Sequence, residues 1–256
     1  MKLEFLGTGA ADFNLERDQY TEGFRRFSSA LLDDNLLIDP GPHIFHYMET
    51  YQKPDLFDNL EYVLITHSHG DHMNMESIKR IYEMRPDCCF YGSEAVARSF
   101  WGTGIPFTAI LPYYEYQVGE YRVTPLRSNH EGAFDEVTYV YSIVGADGKK
   151  FFYGTDTALP PAQTWEYIHR GGYDLFVLEL TMGDYPDAPN LCEHITLPIF
   201  RLFMCLINRD GLAIKESGKF LVTHMAKNWH KPHAELVEQL SPMGVVPAYD
   251  GMIVEI

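Results

Sequence analysis

The sequence has few basic side chains, and this scarcity excludes one large class of phosphate-binding proteins. Of its 256 residues, 20 are Lys or Arg and 36 are Asp or Glu, so the formal net charge is −16. Proteins that grip a nucleic-acid backbone do so with lysines and arginines and usually carry a positive surplus. We therefore expect no long nucleic acid as a partner, and only a local patch could bind phosphate.

Long apolar runs and cysteine motifs are also missing. No stretch approaches the ~20 apolar residues that span a bilayer, and residues 1–11 lack the basic start and apolar core of a signal peptide. Cys88, Cys89, Cys192 and Cys205 form no C-x-x-C pair and no spaced framework. The sequence thus predicts a soluble, cytoplasmic protein without membrane contact, disulfides or a thiolate zinc site.

Linkers, internal repeats and low-complexity tracts are absent as well. A content of 46% hydrophobic and 22% charged residues is typical of a globular chain with a buried core. The length allows one large domain or two small ones. Because nothing marks a boundary, we predict a single domain over residues 1–256.

Strands and helices are predicted to mix in both halves of the chain. Short β-rich segments occupy residues 3–6, 29–32, 36–38, 62–66, 89–91, 121–124, 137–144, 151–153, 175–180, 220–223 and 252–256. Helices are expected after Pro42, from an N-cap at Asn74 through Arg85, at residues 164–169 and 194–207, and after Pro232. This mixture favours α/β layers over a helix bundle or a pure β-sandwich.

The most informative segment is T-H-S-H-G-D-H at residues 66–72, at the end of an apolar strand. At this composition, H-x-H-x-D-H arises by chance in about one sequence in a thousand. His67 and His69 are two residues apart in extended chain, so both can reach one ion. Asp71 and His72 follow where the chain turns into a helix, and they can address a second ion. Because imidazole and carboxylate suit zinc and its neighbours, the segment predicts a metal site.

This segment resembles the signature of the metallo-β-lactamase-fold hydrolases. Further segments are similar to that family in the same order, and together they cover nearly the whole chain: F-L-G-T-G at 5–9, L-I-D-P-G at 37–41, His130, Y-G-T-D-T at 153–157 and L-V-T-H at 221–224. The resemblance implies an α/β fold, a four-layer αββα sandwich with the metal site at the sheet edge.

Carried over residue by residue, the resemblance also implies two divalent ions, with zinc as the first choice and manganese or iron open. The ligands form one group for each ion and one residue between them: His67, His69 and His130; Asp71, His72 and His224; and the bridging Asp156. Two such ions would hold a bridging hydroxide for attack. In the family, Asp71 lies next to that hydroxide and can guide its proton.

Within the superfamily, three stretches resemble the phosphodiesterase branch, which includes RNase Z and the cyclic phosphodiesterases of phosphonate breakdown. They are the N-terminal region with R-F-S-S-A-L-L at 26–32, the pair L-E-L-T at 178–181 and H-I-T at 194–196, and A-Y-D-G-M at 248–252. In that branch a glutamate orients a histidine beside the leaving group. The resemblance therefore implies that Glu179 and His194 act as such a pair.

Two departures narrow the substrate. Residues 10–27 contain none of the cysteines that hold a structural zinc in the phosphonate-pathway enzymes, and no Gly/Pro-rich, tRNA-gripping arm is inserted. We therefore expect a small or cyclic phosphodiester. The net charge permits it, since two divalent ions outweigh the charges of Asp71 and Asp156 in one pocket.

Two alternatives stay open. A lactone or carbon-ester hydrolase of the same fold would need the same hydroxide but no acid of the His194 type. A non-catalytic regulatory protein could retain the metals. The family is often dimeric, so the resemblance is compatible with a homodimer.

Overall fold

Two mixed β-sheets with helices on their outer faces make up the computed structural model, which describes residues 1–133, 135–186 and 192–256. The strands are β1 (Lys2–Gly7), β2 (Ser29–Leu32), β3 (Leu36–Ile38), β4 (Tyr62–Leu64), β5 (Cys89–Gly92), β6 (Phe107–Ala109), β7 (Tyr116–Val118), β8 (Tyr121–Arg127), β9 (Tyr139–Val144), β10 (Lys150–Gly154), β11 (Tyr173–Glu179), β12 (Ile214–Thr223), β13 (Val245–Pro247) and β14 (Ile253–Glu255). The helices are α1 (Leu15–Asp18), α2 (Ile44–Thr50), α3 (Met75–Met84), α4 (Glu94–Arg98), α5 (Ala162–Ile168), α6 (Leu197–Ile207) and α7 (His233–Leu240).

Each sheet contains seven strands. The order in the first sheet is β14-β1-β2-β3-β4-β5-β6, and in the second it is β13-β12-β11-β10-β9-β8-β7. Strands β3 to β6 are parallel, and so are β10 to β13. The carboxyl ends of parallel strands meet at one edge of a sheet, which is where loops can build a site. The loops after β4, β10 and β12 position six of the seven candidate ligands, and the seventh, His130, follows β8.

Successive side chains of a strand point to opposite faces of its sheet. The apolar side chains are therefore divided between the core that lies between the two sheets and the cores that lie between each sheet and its helices. In β11, Leu175 and Val177 belong to the core between the two sheets, whereas Phe176 and Leu178 belong to the core between the second sheet and its helices. A third core lies between the first sheet and helices α2 and α3. These layers form the predicted four-layer αββα sandwich.

Most of the predicted elements are present near their predicted positions. The side chain of Asn74 accepts a hydrogen bond from the backbone N–H of Ser77 at 2.9 Å, as an N-cap does, and α3 ends at Met84, one residue before its predicted end at Arg85. Asp33 and Asp34 have φ of +47° and +62°, which is the backbone that a two-residue hairpin turn needs. The hairpin of β2 and β3 is thereby explained by its turn.

The helix predicted over residues 194–207 is shorter, because α6 begins at Leu197. The preceding backbone is committed elsewhere: Ile195 donates its N–H to Glu179 Oε2 at 3.2 Å, and Leu197 donates to the carbonyl of Gly183 at 2.7 Å. His194 therefore lies in a loop that crosses the end of β11. Helices α1 and α4 and strands β6, β7 and β13 have no counterpart among the predicted segments. Among the described residues, no helix has the length and apolar content needed to cross a bilayer.

Candidate metal centre

The histidines His67, His69 and His130 converge although they come from different sheets. His67 and His69 follow β4 of the first sheet, and His130 follows β8 of the second. His69 Nδ1 lies 3.0 Å from His67 Nε2 and 3.2 Å from His130 Nε2. One imidazole nitrogen of each residue thus points at a common centre, as a three-histidine metal site requires.

A second group lies directly beside the first. His72 Nε2 is 3.2 Å from Asp71 Oδ2, 3.2 Å from His224 Nε2 and 2.6 Å from Asp156 Oδ2. The same Oδ2 of Asp156 is 3.3 Å from His67 Nε2, which belongs to the first group. Asp156 therefore lies between the two groups, in the position that the resemblance implies for a bridging ligand.

Backbone strain accompanies this arrangement. Asp156 and His224 each follow a strand of the second sheet and have φ of +48° and +53°, in the left-handed region that favours glycine. A non-glycine residue held there costs about 1–3 kcal/mol and persists only where its surroundings fix it. Here the sharp turn ends the strand and directs the side chain into the cluster.

Asp39, which the sequence analysis did not single out, orients His72. Its Oδ2 lies 2.8 Å from His72 Nδ1, and its Oδ1 accepts the backbone N–H of Thr66 at 2.8 Å. In the neutral imidazole this contact places the proton of His72 on Nδ1 and leaves the lone pair of Nε2 facing the cluster. Burial raises the pKa of Asp39, and its contacts with His72 and Thr66 oppose that rise.

A glycine allows the loop after β3 to approach the metal-binding loop. A Cβ atom placed on Gly41 would lie 2.2 Å from the carbonyl oxygen of Asp71, well inside contact distance. Only a glycine lets the backbones meet this closely. The L-I-D-P-G segment therefore supports the site twice, through Asp39 and through Gly41.

His224 is oriented by Thr181 and Glu179. Its Nδ1 lies 2.8 Å from Thr181 Oγ1, and the Thr181 hydroxyl donates in turn to Glu179 Oε2. This chain keeps the proton of His224 on Nδ1 and its Nε2 free for the cluster. Thr181 was also missed by sequence reasoning, although it belongs to the L-E-L-T segment that the resemblance used.

The predicted pair of Glu179 and His194 is present at the edge of the second group. His194 Nδ1 lies 3.2 Å from the fully buried Glu179 Oε1 and 3.5 Å from Asp156 Oδ1. Glu179 is itself fixed by the backbone N–H of Thr157 at 2.7 Å. Burial lowers the pKa of His194, but the charge and hydrogen bond of Glu179 outweigh it and raise that pKa to about 9.

Glu193 contacts His130, a candidate ligand of the first group. His130 Nδ1 is 3.0 Å from Glu193 Oε2 and 3.2 Å from the Glu193 carbonyl oxygen. Glu193 has a φ of +70°, in the left-handed region that favours glycine. The sequence analysis did not single out Glu193, and the structure places its carboxylate on His130.

The residues of the cluster fit divalent ions. Asp156 Oδ1 is buried and makes no well-aligned hydrogen bond with any described residue, although His224 Nδ1 lies 3.1 Å and His194 Nδ1 3.5 Å from it; a buried carboxylate oxygen is ordinarily hydrogen-bonded. Burial lowers the pKa of His72, but Asp156, Asp71 and Asp39 outweigh it and hold that pKa well above its usual value, so the site attracts positive charge. Nitrogen and carboxylate donors within 4.8 Å of one another form both groups, and such a set suits zinc, manganese or iron.

Comparison with known proteins identifies the family of this chain. The sequence profile of the beta-lactamase superfamily domain matches residues 34–199. The chain belongs to the beta-lactamase superfamily. No curated protein sequence is significantly similar to it.

Solved structures across the metallo-β-lactamase fold resemble this member of the superfamily over its whole length. Zinc-bound PqqB from Methylobacterium extorquens has a TM-score of 0.77 at 16% identity, with 100% of both chains covered. A diphosphatase from the PhnP family has a TM-score of 0.72 at 19% identity, covering 100% of this chain and 96% of that one. The short form of human tRNase Z has a TM-score of 0.70 at 19% identity, covering 100% and 99%. These structures confirm the predicted fold and the resemblance on which it was based.

Proposed function

We propose that this superfamily member is a dinuclear metal-dependent phosphodiesterase that acts on a small or cyclic phosphodiester. One observation carries the proposal: a histidine fixed by a buried glutamate, His194 on Glu179, borders a cluster of seven metal-ligand side chains. Superfamily membership supports the metal-dependent hydrolase. The diphosphatase and the tRNase Z among the similar structures support a phosphate-centred substrate.

Seven residues would hold the ions, divided as the geometry divides them: His67, His69 and His130; Asp71, His72 and His224; and Asp156 between the groups. We propose zinc, which the zinc-bound PqqB structure supports, with manganese or iron as substitutes. Ions at such a site lower the pKa of water towards neutrality and polarise phosphoryl oxygens. Asp71 would accept the proton released near its carboxylate.

His194 would supply a proton to the departing alkoxide. Its Nδ1 faces Glu179 Oε1 at 3.2 Å, and its Nε2 has no hydrogen-bond partner among the described residues. Against the lowering effect of burial, the charge of Glu179 raises the pKa of His194 to about 9 and so favours the protonated imidazole that a general acid needs. Glu179 would act as a positioning residue, because it reaches the reacting atoms only through His194.

The test combines metal content with turnover of the metal-loaded protein. We expect about two ions per chain, hydrolysis of bis(p-nitrophenyl) phosphate or a cyclic nucleotide, and no lactone turnover. Asp71→Ala should abolish activity, and His194→Gln should lower kcat by about 100-fold. His169→Gln is the matched control, since His169 follows α5 and contacts Trp165 instead of the cluster.

Each contrary result has a defined meaning. Fewer than two ions per chain would refute the dinuclear site. Turnover of lactones without turnover of phosphodiesters would favour the carbon-ester hydrolase, and bound metal without any turnover would favour a regulatory protein. The small phosphodiester as partner, the exclusion of long nucleic acid, the homodimer and the cytoplasmic location stay predictions.

A further inference from the structure

A cavity of about 580 Å³ opens between the loop that joins β1 to β2 and the segment that joins β12 to α7. Phe13, Phe24 and Arg25 line it from the first side, and His230 and Lys231 from the second. Its volume lies within the range of small-molecule sites, roughly 300–1,000 Å³. None of the seven candidate metal ligands lines this cavity, so it is a separate space.

The cavity nevertheless lies next to the metal centre. His230 Nε2 is 3.2 Å from the carbonyl oxygen of Thr181, and Ala226 donates its N–H to the same oxygen at 3.2 Å. The hydroxyl of Thr181 is in turn 2.8 Å from Nδ1 of His224. One residue, Thr181, therefore separates the cavity wall from a candidate ligand.

Arg25 is the unusual group in the cavity wall. Its Nη1 donates to Thr8 Oγ1 at 2.6 Å and to the Ala248 carbonyl at 2.8 Å, and its Nη2 is 3.4 Å from His233 Nδ1. These partners are neutral, and within the described ranges Arg25 forms no ion pair within 4.0 Å; the Thr8 hydroxyl donates in turn to Asp250 Oδ1 at 2.8 Å, so that carboxylate acts on Arg25 through one intervening side chain. Buried or half-buried charges are ordinarily paired, so a guanidinium held on neutral acceptors beside a cavity is available to an anion.

The neighbouring charges leave this wall positive. Lys227 is neutralised by Asp18 at 2.6 Å, and the buried Asp250 is paired with Arg26 at 3.2 Å. The exposed Lys231 has no ion pair with any described residue, and it adds a second positive charge. Glu22, which is also exposed, is the remaining acidic side chain of the lining. Two cations against one exposed carboxylate form a local excess in a protein whose net charge is −16.

We propose that this cavity binds a phosphate group of the substrate that is remote from the scissile bond, with Arg25 as its anchor. A guanidinium offers two parallel N–H donors to phosphate oxygens, and Lys231 adds a flexible cation at the rim. The rings of Phe13, Phe24 and Tyr249 line the same space and provide an apolar wall for a ring attached to that phosphate. The class of ligand is therefore a nucleoside monophosphate moiety; its assignment to the substrate rests on the function proposed above.

Binding can be measured without the metals. The protein is stripped of metal, dialysed free of chelator and titrated by calorimetry with AMP, inorganic phosphate and adenosine. We expect one saturable site for AMP, weaker binding of phosphate and the weakest binding of adenosine. Arg25→Met should weaken AMP binding by about tenfold or more, and Lys231→Gln by about twofold, because it is exposed and screened.

Two control variants locate the site. Lys79→Gln removes an equally exposed cation from α3, outside the cavity lining, and should leave AMP affinity unchanged. His69→Asn changes the metal cluster and should also leave AMP affinity unchanged. Lys231→Gln keeps the test valid should Arg25→Met fail to fold, because Lys231 has no hydrogen bond or ion pair with any described residue.

The outcomes separate this inference from the proposed function. The inference is overturned when wild-type protein does not bind AMP at millimolar concentration, when adenosine binds as tightly as AMP, when neither cavity variant weakens binding, or when His69→Asn abolishes it. AMP binding that depends on Arg25 supports the cavity even in a protein without phosphodiester turnover. In an active protein, Arg25→Met should raise KM for a diester that carries a second phosphate and leave KM for bis(p-nitrophenyl) phosphate unchanged.

Discussion

Asp39 offers a direct test of how the buried carboxylate prepares His72 for a metal. In Asp39→Asn the side chain keeps its shape, but one oxygen becomes an NH₂ donor. When the amide oxygen stays on the Thr66 N–H, the NH₂ group faces His72 Nδ1, which must then accept. The ring proton moves to Nε2, the atom 2.6 Å from Asp156 and 3.2 Å from His224, and its lone pair is lost to the site. The flipped amide would instead place two donors face to face at Thr66.

The expected loss of metal affinity can be taken from the known contribution of residues that hydrogen-bond to metal ligands. Loss of such a contact lowers metal affinity by about 10–100-fold, which equals about 1.4–2.8 kcal/mol of binding free energy. We expect Asp39→Asn to lose one ion before the other, because His72 belongs to the group of Asp71 and His224 while the three-histidine group is untouched.

Metal affinity would be measured by competition with a chelator, and folding by thermal unfolding of the metal-free protein. Asp174→Asn is the matched control: Asp174 is also buried, and it accepts from the Lys150 N–H at 2.9 Å and from Lys215 Nζ at 2.6 Å, away from the cluster. It should lose stability without losing metal affinity. A folded Asp39→Asn protein that binds both ions as tightly as wild type would refute the tautomer argument.

Three further predictions follow from local contacts. Gly41→Ala places a Cβ 2.2 Å from the Asp71 carbonyl oxygen, so it should cost about 1–3 kcal/mol in thermal unfolding and reduce the bound metal; an unchanged melting temperature would contradict it. Burial lowers the pKa of His43 to about 4, so the unfolded chain binds the extra proton between that value and about 6.5. The unfolding free energy of the metal-free protein should therefore fall by up to about 3 kcal/mol as the pH drops from 6.5 to 4, and urea titrations of His43→Asn should show a shallower fall. Burial raises the pKa of Cys88 to about 12, so a thiol reagent should label the three exposed cysteines quickly and Cys88 only on unfolding; four fast thiols would be inconsistent with its burial.

The parts of the site that lie close together in the sequence were predictable. Four of the seven ligands sit within residues 67–72, so their spacing alone predicted a metal site. His130, Asp156 and His224 were predicted from the resemblance to the family, and the position of His224 directly after an apolar strand agreed with it. The structure brings all of these side chains together, and their roles as ligands stay a prediction for metal analysis.

The residues that orient the ligands were not predictable, because each acts across a long interval of chain. Asp39 contacts a histidine 33 positions away, and Thr181 contacts one 43 positions away. No periodicity or local motif reports such a pairing, since tertiary packing alone creates it. The predicted start of helix α6 at His194 was wrong for the same reason. Residues 194–196 have the composition of a helix, but the side chain of Glu179 accepts a hydrogen bond from the backbone N–H of Ile195.

The candidate metal ligands come from both sheets, so metal affinity depends on how the two sheets are aligned with each other. Four ligands follow β4 in one sheet, and the others follow β8, β10 and β12 in the other. A slide of one sheet over the other by about 1 Å would separate groups that need sub-ångström placement, while most of the apolar contacts between the sheets would survive. Substitutions in the inter-sheet core far from any ligand should therefore reduce metal affinity before they unfold the protein.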